Sequence, residues 1–198
     1  MKNIQIIGAG TAEETGIRLT TEELGLTQAA DGMPVRLTRL AGGADTLQVE
    51  MQDGSARVEY RDIPALLRAL RLLADALERE ATVYTVQETR QLEKSGAMFD
   101  CSRNAVLTVD AVKYFLRQMA VMGLNTLLLY TEDTYEVEGE PYFGYLRGRY
   151  SIAQLREIDD YAAALGVEFI PCIQTLAHME QFLKWNAATP YRDTDEVL

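Results

Sequence analysis

Ala97-Met-Phe-Asp-Cys-Ser-Arg-Asn104 is a short apolar run that ends in a cluster of polar side chains. A helical pattern follows almost at once, from about Thr108 to Gly123. This succession is typical of a strand in a parallel barrel, whose carboxyl end carries charged residues into a site before a helix leads back. Two further segments have the same form: Leu124–Asp133 and Val167–His178.

From residue 97 onward, strand and helix patterns alternate, which predicts a parallel sheet with helical connections. Asn125–Tyr130 is almost entirely apolar, as expected of a strand that is buried on both faces. Ser151-Ile-Ala-Gln154 is a capping box and predicts a second helix, which ends at Gly166. A shorter third helix is predicted over His178–Trp185.

The first 90 residues have a different pattern. Asp62 can cap a long amphipathic helix that has Pro64 in its first turn. The alternating strand segments around it predict a small antiparallel sheet, and residues 11–33 predict loop with at most one short strand. The predicted strands are Lys2–Gly8, Pro34–Leu40, Thr46–Met51, Ala56–Tyr60 and Thr82–Gln87.

Together these patterns predict an α/β protein of two parts. Residues 1–92 are expected to form a small α+β N-terminal domain. Residues 93–198 are expected to form the first three βα units of a (β/α)8 TIM barrel. A full barrel takes roughly 250 residues, so the barrel is expected to be incomplete, truncated before strand four.

Composition excludes several classes of partner. The chain has 19 basic and 30 acidic residues, a net charge of −11, which repels nucleic acid and anionic membrane surfaces. It contains no apolar run near the roughly 20 residues that cross a bilayer and no secretory signal pattern. Cys101 and Cys172 form neither a disulfide framework nor a metal-ligand pattern. We expect a cytoplasmic protein without cofactor or metal.

Each predicted strand of the second part ends in polar residues. An isolated charged residue at a strand end is usually solvated, but three successive strands with such ends favour a site. The carboxyl ends of parallel strands converge on one crevice, so these side chains are expected to lie together. They are Asp100 and Arg103, then Tyr130, Glu132 and Asp133, then Gln174 and His178.

The segment after the second strand is rich in aromatic residues. Aromatic faces stack on the apolar faces of sugars, and Arg147 and Arg149 could bind sugar hydroxyls. Alternatively, the aromatic side chains pack against one another within the loop, and the sequence does not decide between the two. The residues are Tyr135, Tyr142, Phe143, Tyr145 and Tyr150.

Three motifs, in order, resemble glycoside hydrolase family 20, the β-N-acetylhexosaminidases. Phe99-Asp-Cys-Ser-Arg103-Asn resembles the family's Leu-Asp-x-Ser-Arg-His at the first barrel strand. Tyr130-Thr-Glu-Asp133 lies where the family has a pair of aspartates, and Ile170-Pro-Cys-Ile-Gln-Thr-Leu-Ala-His178 resembles Ile-Pro-Glu-Ile-Asp-x-Pro-Gly-His. Glu132 and Gln174 each replace an aspartate, and Leu-Ala replaces Pro-Gly, which indicates an atypical, bacterial-type branch.

The resemblance implies a retaining glycosidase in which the 2-acetamido oxygen of the substrate is the nucleophile. Arg103 would hold the O3 and O4 hydroxyls of the terminal sugar. Glu132 would accept a hydrogen bond from His178, and His178 would orient the general acid. Tyr130 and Asp133 would also bind the substrate, a small-molecule or oligosaccharide glycoside.

The family's catalytic Asp-Glu pair lies at the end of the fourth barrel strand, whereas this sequence ends at Leu198. The resemblance therefore implies that this chain has no catalytic residue of its own and is inactive alone. Two alternatives stay open. The chain could be a non-catalytic carbohydrate-binding or scaffold protein that self-associates through an open barrel edge, or another barrel glycosidase in which Glu132 is itself catalytic.

Overall fold

The computed structural model describes residues 2–41, 46–103, 105–194 and 197–198. Asn104, the last residue of the first strand motif, lies outside the described residues. The chain divides into two compact units. The first consists of Met1–Ser95, Tyr114–Asn125 and Ala162–Val167, and the second of Gly96–Lys113, Thr126–Tyr161 and Glu168–Leu198.

The first unit is built on a six-stranded mixed sheet. Its elements are β1 (Lys2–Ile7), α1 (Thr11–Leu19), α2 (Thr21–Leu24), β2 (Leu26–Gln28), β3 (Met33–Arg39), β4 (Thr46–Gln52), β5 (Ser55–Tyr60), α3 (Ile63–Glu78) and β6 (Tyr84–Thr89). The strand order is β2-β1-β3-β5-β4-β6. The β1–β2, β1–β3 and β3–β5 pairs are parallel, and β4 pairs antiparallel with β5 and β6.

Two predictions for this unit are wrong. The sheet is mixed rather than antiparallel, because α1 and α2 return the chain to a β2 that runs parallel to β1, and because β5 rather than β4 pairs with β3. The segment predicted mainly as loop contains two helices. Their buried apolar side chains are few, chiefly Ile17 and Leu24, so the sequence shows no clear helical stripe there.

Helix α3 supplies a large share of the core of the first unit. Its predicted cap is confirmed, since Oδ1 of Asp62 accepts a hydrogen bond from the backbone N–H of Ala65 at 3.0 Å. Leu66, Leu67 and Leu70 are each 0% exposed, and full burial of such a side chain contributes roughly 1.5–3 kcal/mol. Although α3 has 16 residues, neither it nor any other described helix is long and apolar enough to cross a membrane.

The remaining elements form three successive βα units, as predicted. They are β7 (Gly96–Asp100), α4 (Val109–Val121), β8 (Thr126–Tyr130), α5 (Ile152–Ala164), β9 (Glu168–Cys172), α6 (Glu180–Leu183) and a final 3-10 turn at Asn186–Ala188. The strands form a parallel sheet in the order β7-β8-β9. The predicted capping box is confirmed, because Ser151 and Gln154 exchange backbone-to-side-chain hydrogen bonds of 2.9 and 3.2 Å.

The three parallel strands end at the same level. Asp100, Tyr130 and Cys172 are register partners across the sheet. The ladder continues one residue further, since the N–H of Cys101 donates to the carbonyl of Tyr130 at 2.8 Å and the N–H of Thr131 to that of Cys172 at 3.2 Å. The polar residues that follow each strand therefore start from one edge of the sheet. Both cysteines are free thiols.

Candidate functional site

A cavity of about 360 Å³ lies within the second unit, beyond the carboxyl ends of β7, β8 and β9. This volume is in the range of small-molecule sites. Its lining is polar throughout, with two guanidinium groups and two carboxylates, and therefore suits a neutral ligand that carries several hydroxyls. The lining residues are Ser102, Arg103, Glu132, Arg147, His178, Glu180 and Gln181.

Asp100 fixes the chain where it leaves β7 for the cavity. Its Oδ1 accepts hydrogen bonds from the backbone N–H of Ser102 at 2.9 Å and from the Ser102 hydroxyl at 2.7 Å, and its Oδ2 accepts one from Arg103. The Ser102 hydroxyl, and after it the Ser102 N–H and Arg103, outweigh the opposing effect of burial and hold the pKa of Asp100 at about 2. The carboxylate is therefore charged at any ordinary pH.

Arg103 is oriented but remains accessible. Its guanidinium carbon lies 5.5 Å from the centre of the Tyr130 ring, a cation–π contact, and Asp100 accepts a hydrogen bond from Nη1. The side chain is nevertheless 69% exposed. Donors that these two contacts do not use are open to a ligand in the cavity.

Glu132 and His178 line the same cavity from neighbouring strands. Both have left-handed backbone conformations, with φ of 49° and 59°, which residues other than glycine rarely adopt and which concentrate at functional sites. The Tyr130 hydroxyl donates to Oε1 of Glu132 at 3.2 Å. Glu132 and His178 share no direct hydrogen bond in the described residues, so a relay between them needs a bridging water or a side-chain rotation.

Asp133, the other residue predicted to bind the substrate from the end of β8, is not among the residues that line the cavity. It is 1% exposed, and its Oδ1 lies 3.4 Å from Nε of Arg147. Burial raises the pKa of Asp133 and the charge of Arg147 opposes that rise. Glu132 thus reaches the cavity from the turn after β8, while Asp133 lies behind Arg147, which does line it.

The aromatic loop between β8 and α5 divides into a buried and an exposed part. Phe143 lies in a small core with residues of α6, and Tyr135 packs against it. Tyr150 is 2% exposed, and its hydroxyl donates to the carbonyl of Leu107 at 2.6 Å. Packing inside the second unit, against α6 and against the segment before α4, therefore accounts for these three residues. Tyr142 and Tyr145, by contrast, are 41% and 45% exposed.

Several lining residues were not predicted as site residues. Glu180 and Gln181 directly follow the His178 motif. The helix predicted after that motif was the signal in the sequence that could have identified them as site residues. Arg147, which the sequence already offered as a possible partner of sugar hydroxyls, lies far along a loop and reaches the cavity because of the fold of that loop. At Gly144 the φ is 66°, and a Cβ there would lie 2.4 Å from the carbonyl oxygen of Asp133. In the part of the chain that the structure describes, no group of three or more histidine, cysteine or acidic side chains could hold a metal ion.

The fold and the cavity define an α/β protein with a polar site at the carboxyl edge of a parallel sheet. No protein-family model and no curated protein matches the sequence. Solved structures of glycoside hydrolase family 20 do match the fold.

A mutant Streptomyces plicatus β-hexosaminidase in complex with product (GlcNAc) superposes on 100% of this chain with a TM-score of 0.75 and 19% identity. The exo β-N-acetylglucosaminidase of Vibrio harveyi covers 98% of it with a TM-score of 0.72 and 17% identity. The chitobiase of Flavobacterium johnsoniae covers 92% with a TM-score of 0.69 and 19% identity. The chain spans only 46%, 37% and 32% of these three proteins. Its fold is that of the N-terminal part of a family 20 β-N-acetylhexosaminidase.

Proposed function

We propose that this chain is the front part of a β-N-acetylhexosaminidase and forms part of the site for the terminal N-acetylhexosamine of a glycoside. The whole enzyme would remove that sugar by a retaining, substrate-assisted mechanism. The observation that carries the proposal is that Arg103, Glu132 and His178, from three successive strand ends, line one cavity. The likeness of the fold to family 20 enzymes supports the same assignment.

Arg103 is the residue proposed to hold two adjacent sugar hydroxyls. A planar guanidinium presents its donors in a fixed fork, which suits two oxygens in fixed relative positions. Asp100 and Tyr130 support this role, since one accepts a hydrogen bond from the guanidinium and the other lies under it. Tyr130, which also donates to Glu132, would act on the substrate through these two neighbours.

Glu132 and His178 are proposed as a relay that orients and tunes the general acid. Histidine suits a proton relay because one ring nitrogen can accept a proton while the other donates a hydrogen bond. Asp133 is proposed to act through Arg147, which it contacts, and Arg147 would form the cavity wall against the sugar.

The proposal includes a domain boundary between residues 92 and 93. It also includes a catalytic Asp-Glu pair that lies outside this chain. The 198-residue chain alone is then expected to show no turnover of a chromogenic N-acetyl-β-glucosaminide, because general acid catalysis is missing. Turnover above a matched blank that survives repurification would favour the alternative in which Glu132 is itself catalytic.

Two free cysteines are consistent with a reducing compartment, the cytoplasm.

The direct test is binding of N-acetylglucosamine to the 198-residue chain with Arg103 replaced by lysine. Lysine keeps the charge and loses the fork, so the dissociation constant should rise by about fivefold or more. Arg156→Lys, on an exposed position of α5, is the matched control and should stay within about twofold. Saturation-transfer NMR or calorimetry measures both. Equal affinity of the Arg103→Lys and wild-type chains would remove Arg103 from the site.

A second candidate function, a self-associating scaffold, is favoured by the exposed parallel sheet. β7 and β9 are edge strands, and unpaired edges recruit partners. Met98 on β7 is 57% exposed and Ile173, just after β9, is 47% exposed. Light scattering should show association that grows with concentration, whereas a stable monomer at high concentration would count against this function.

A further inference from the structure

Asp133 and Arg147 form a buried ion pair in the wall of the cavity. Asp133 is 1% exposed, the Arg147 side chain is 12% exposed, and Oδ1 of Asp133 lies 3.4 Å from Nε of Arg147. Among the residues that the structure describes, neither oxygen of Asp133 has a hydrogen-bond partner, and Nη2 of Arg147 has none either. Burying two charges without further hydrogen bonds is costly for folding. The stability of the fold therefore does not explain the pair.

The loop holds Arg147 at the cavity through a strained turn. Leu146, the residue before it, has a left-handed φ of 62°, which bulky side chains rarely adopt. Leu146 is also 85% exposed, so packing of its side chain offsets little of this strain. The N–H of Arg147 donates to the carbonyl of Gly144 at 3.1 Å. Strained residues concentrate at functional sites, and this turn places Arg147 in the lining.

Both guanidinium groups of the cavity lining pair with carboxylates that do not line it. Arg103 donates a hydrogen bond to Asp100. Arg147 pairs with Asp133. Neither Asp100 nor Asp133 is a lining residue. The two positive charges that face the cavity are therefore already compensated from behind.

The carboxylates that do line the cavity have no such compensation. Glu132 accepts a hydrogen bond from the Tyr130 hydroxyl, and Glu180 accepts one from the side-chain amide of Gln181. Both donors are neutral, and within the described ranges neither glutamate lies in an ion pair with a lysine or arginine. The cavity thus has two positive charges against four negative ones, and its surroundings are negative overall.

We propose that Asp133 determines which sugars the cavity accepts, because it neutralises Arg147 and so excludes sugars with an anionic substituent. This inference rests on the proposed function, in which Arg103 holds O3 and O4 of the terminal sugar and the acetamido group occupies C2. The glycosidic bond takes C1, so O6 is the position left for a substituent. A sulfate at O6 is repelled by the negative surroundings. Without the charge of Asp133, the guanidinium of Arg147 attracts the same sulfate.

Two esters of N-acetylglucosamine with similar bulk and different charge measure this selectivity. They are the anionic 6-sulfate and the neutral 6-methanesulfonate. At low ionic strength, the 198-residue chain should bind the sulfate about tenfold or more weakly than the methanesulfonate, by calorimetry or saturation-transfer NMR. Asp133→Asn, which keeps the size of the side chain, should reduce this ratio to within about threefold. Asp160→Asn, at an exposed position of α5, changes the net charge of the chain equally and should keep the wild-type ratio.

Two further variants distinguish an effect of charge from an effect of structure. Arg147→Gln removes the charge that Asp133 neutralises, so the ratio should stay at or above the wild-type value. In the double variant Asp133→Asn/Arg147→Gln neither residue is charged, and the ratio should return to about tenfold. If Asp133 had only a structural role, the double variant would keep the reduced ratio of Asp133→Asn.

The outcomes separate this inference from the proposed function. Equal binding of the two esters by the wild-type chain, or rejection of both while N-acetylglucosamine binds, would overturn the inference and leave the proposed function standing. An unchanged ratio in folded Asp133→Asn would overturn it too. Should that variant not fold, a ratio in Arg147→Gln that falls toward one would overturn it instead. If N-acetylglucosamine itself does not bind, the proposed function fails and this inference fails with it.

Discussion

Replacing Asp100 tests how the end of β7 supports the candidate site. Asp100→Ala removes the acceptor for the Ser102 N–H, the Ser102 hydroxyl and Arg103 at once. Asp100→Asn keeps an acceptor for the Ser102 N–H and loses the charge that Arg103 pairs with. A comparison of the two variants therefore distinguishes the contribution of the turn at the strand end from the contribution of the Arg103 orientation.

The loss of stability expected on replacing Asp100 depends on how far its side chain is exposed to solvent. A pKa lowered from 3.8 to about 2 would correspond to roughly 2.4 kcal/mol at about 1.36 kcal/mol per pKa unit. The Asp100 side chain is 39% exposed, so solvent screening reduces this to about 1 kcal/mol. We expect Asp100→Ala to lower the free energy of unfolding by about 1–2 kcal/mol and Asp100→Asn by less than about 1 kcal/mol. Both should weaken N-acetylglucosamine binding.

The pH dependence gives the sharper measurement. A lowered folded-state pKa contributes stability that is present above the ordinary carboxyl pKa and is lost as the pH falls through about 2. The difference in unfolding free energy between wild type and Asp100→Ala, from urea titrations followed by circular dichroism, should thus be constant from about pH 5 to 7 and shrink below about pH 4. Asp160→Ala, at an exposed position of α5, is the control. No difference at neutral pH, or a difference that persists unchanged at pH 2, would refute this reasoning.

Three further predictions concern stability and the loop. Asp62→Ala should lower the free energy of unfolding in urea by about 1.5–2.5 kcal/mol, because it removes the cap of α3. It also leaves Arg90 without the carboxylate to which its two guanidinium nitrogens now donate at 2.7 and 2.9 Å. Asp62→Asn can still cap the helix and should lower the free energy of unfolding by less. Leu70→Ala should lower the free energy of unfolding by about 2–5 kcal/mol. Leu92→Ala, at a position 65% exposed, should lower it by less than about 0.5 kcal/mol. Equal losses in the two variants would contradict the assignment of Leu70 to the core. Gly144→Ala should weaken sugar binding in NMR titrations through strain at a positive φ and a clash with the Asp133 carbonyl, and unchanged binding would show that this loop geometry is not needed.

Local signals in the sequence were sufficient for the helices with strong caps and for the parallel strands. The Asp62 cap and the Ser151–Gln154 capping box depend on residues three apart, so the sequence contains all the information they need. The strand β8 was equally clear, because a strand that is buried on both faces is a nearly unbroken apolar run. Since parallel strands require crossovers, the alternation with helices then predicted the order β7-β8-β9.

Long-range pairing could not be read in the same way. The partners of β3 and β5 are chosen by the whole sheet, and alternating sequences fit parallel and antiparallel neighbours equally well, which is why the first sheet was predicted with the wrong pairing. The same limit applies to Arg147. Its place at the cavity depends on the adjacent residues Phe143 and Gly144 and on Asp133, which comes earlier in the sequence and meets Arg147 only in the folded loop.

The departures from the family 20 motifs that the sequence resembles fall at positions where the backbone carries part of the site geometry. Glu132 takes the place of an aspartate and adopts a left-handed φ of 49°, and His178, which follows Leu-Ala instead of Pro-Gly, has a φ of 59°. Without a glycine before it, the turn into α6 has its left-handed residue at the histidine itself. The level at which both residues leave the sheet is set by the register of β8 and β9, which backbone hydrogen bonds fix independently of side-chain identity. Sheet register therefore fixes where the side chains of Glu132 and His178 begin, while their lengths and the local turns decide where their polar groups lie.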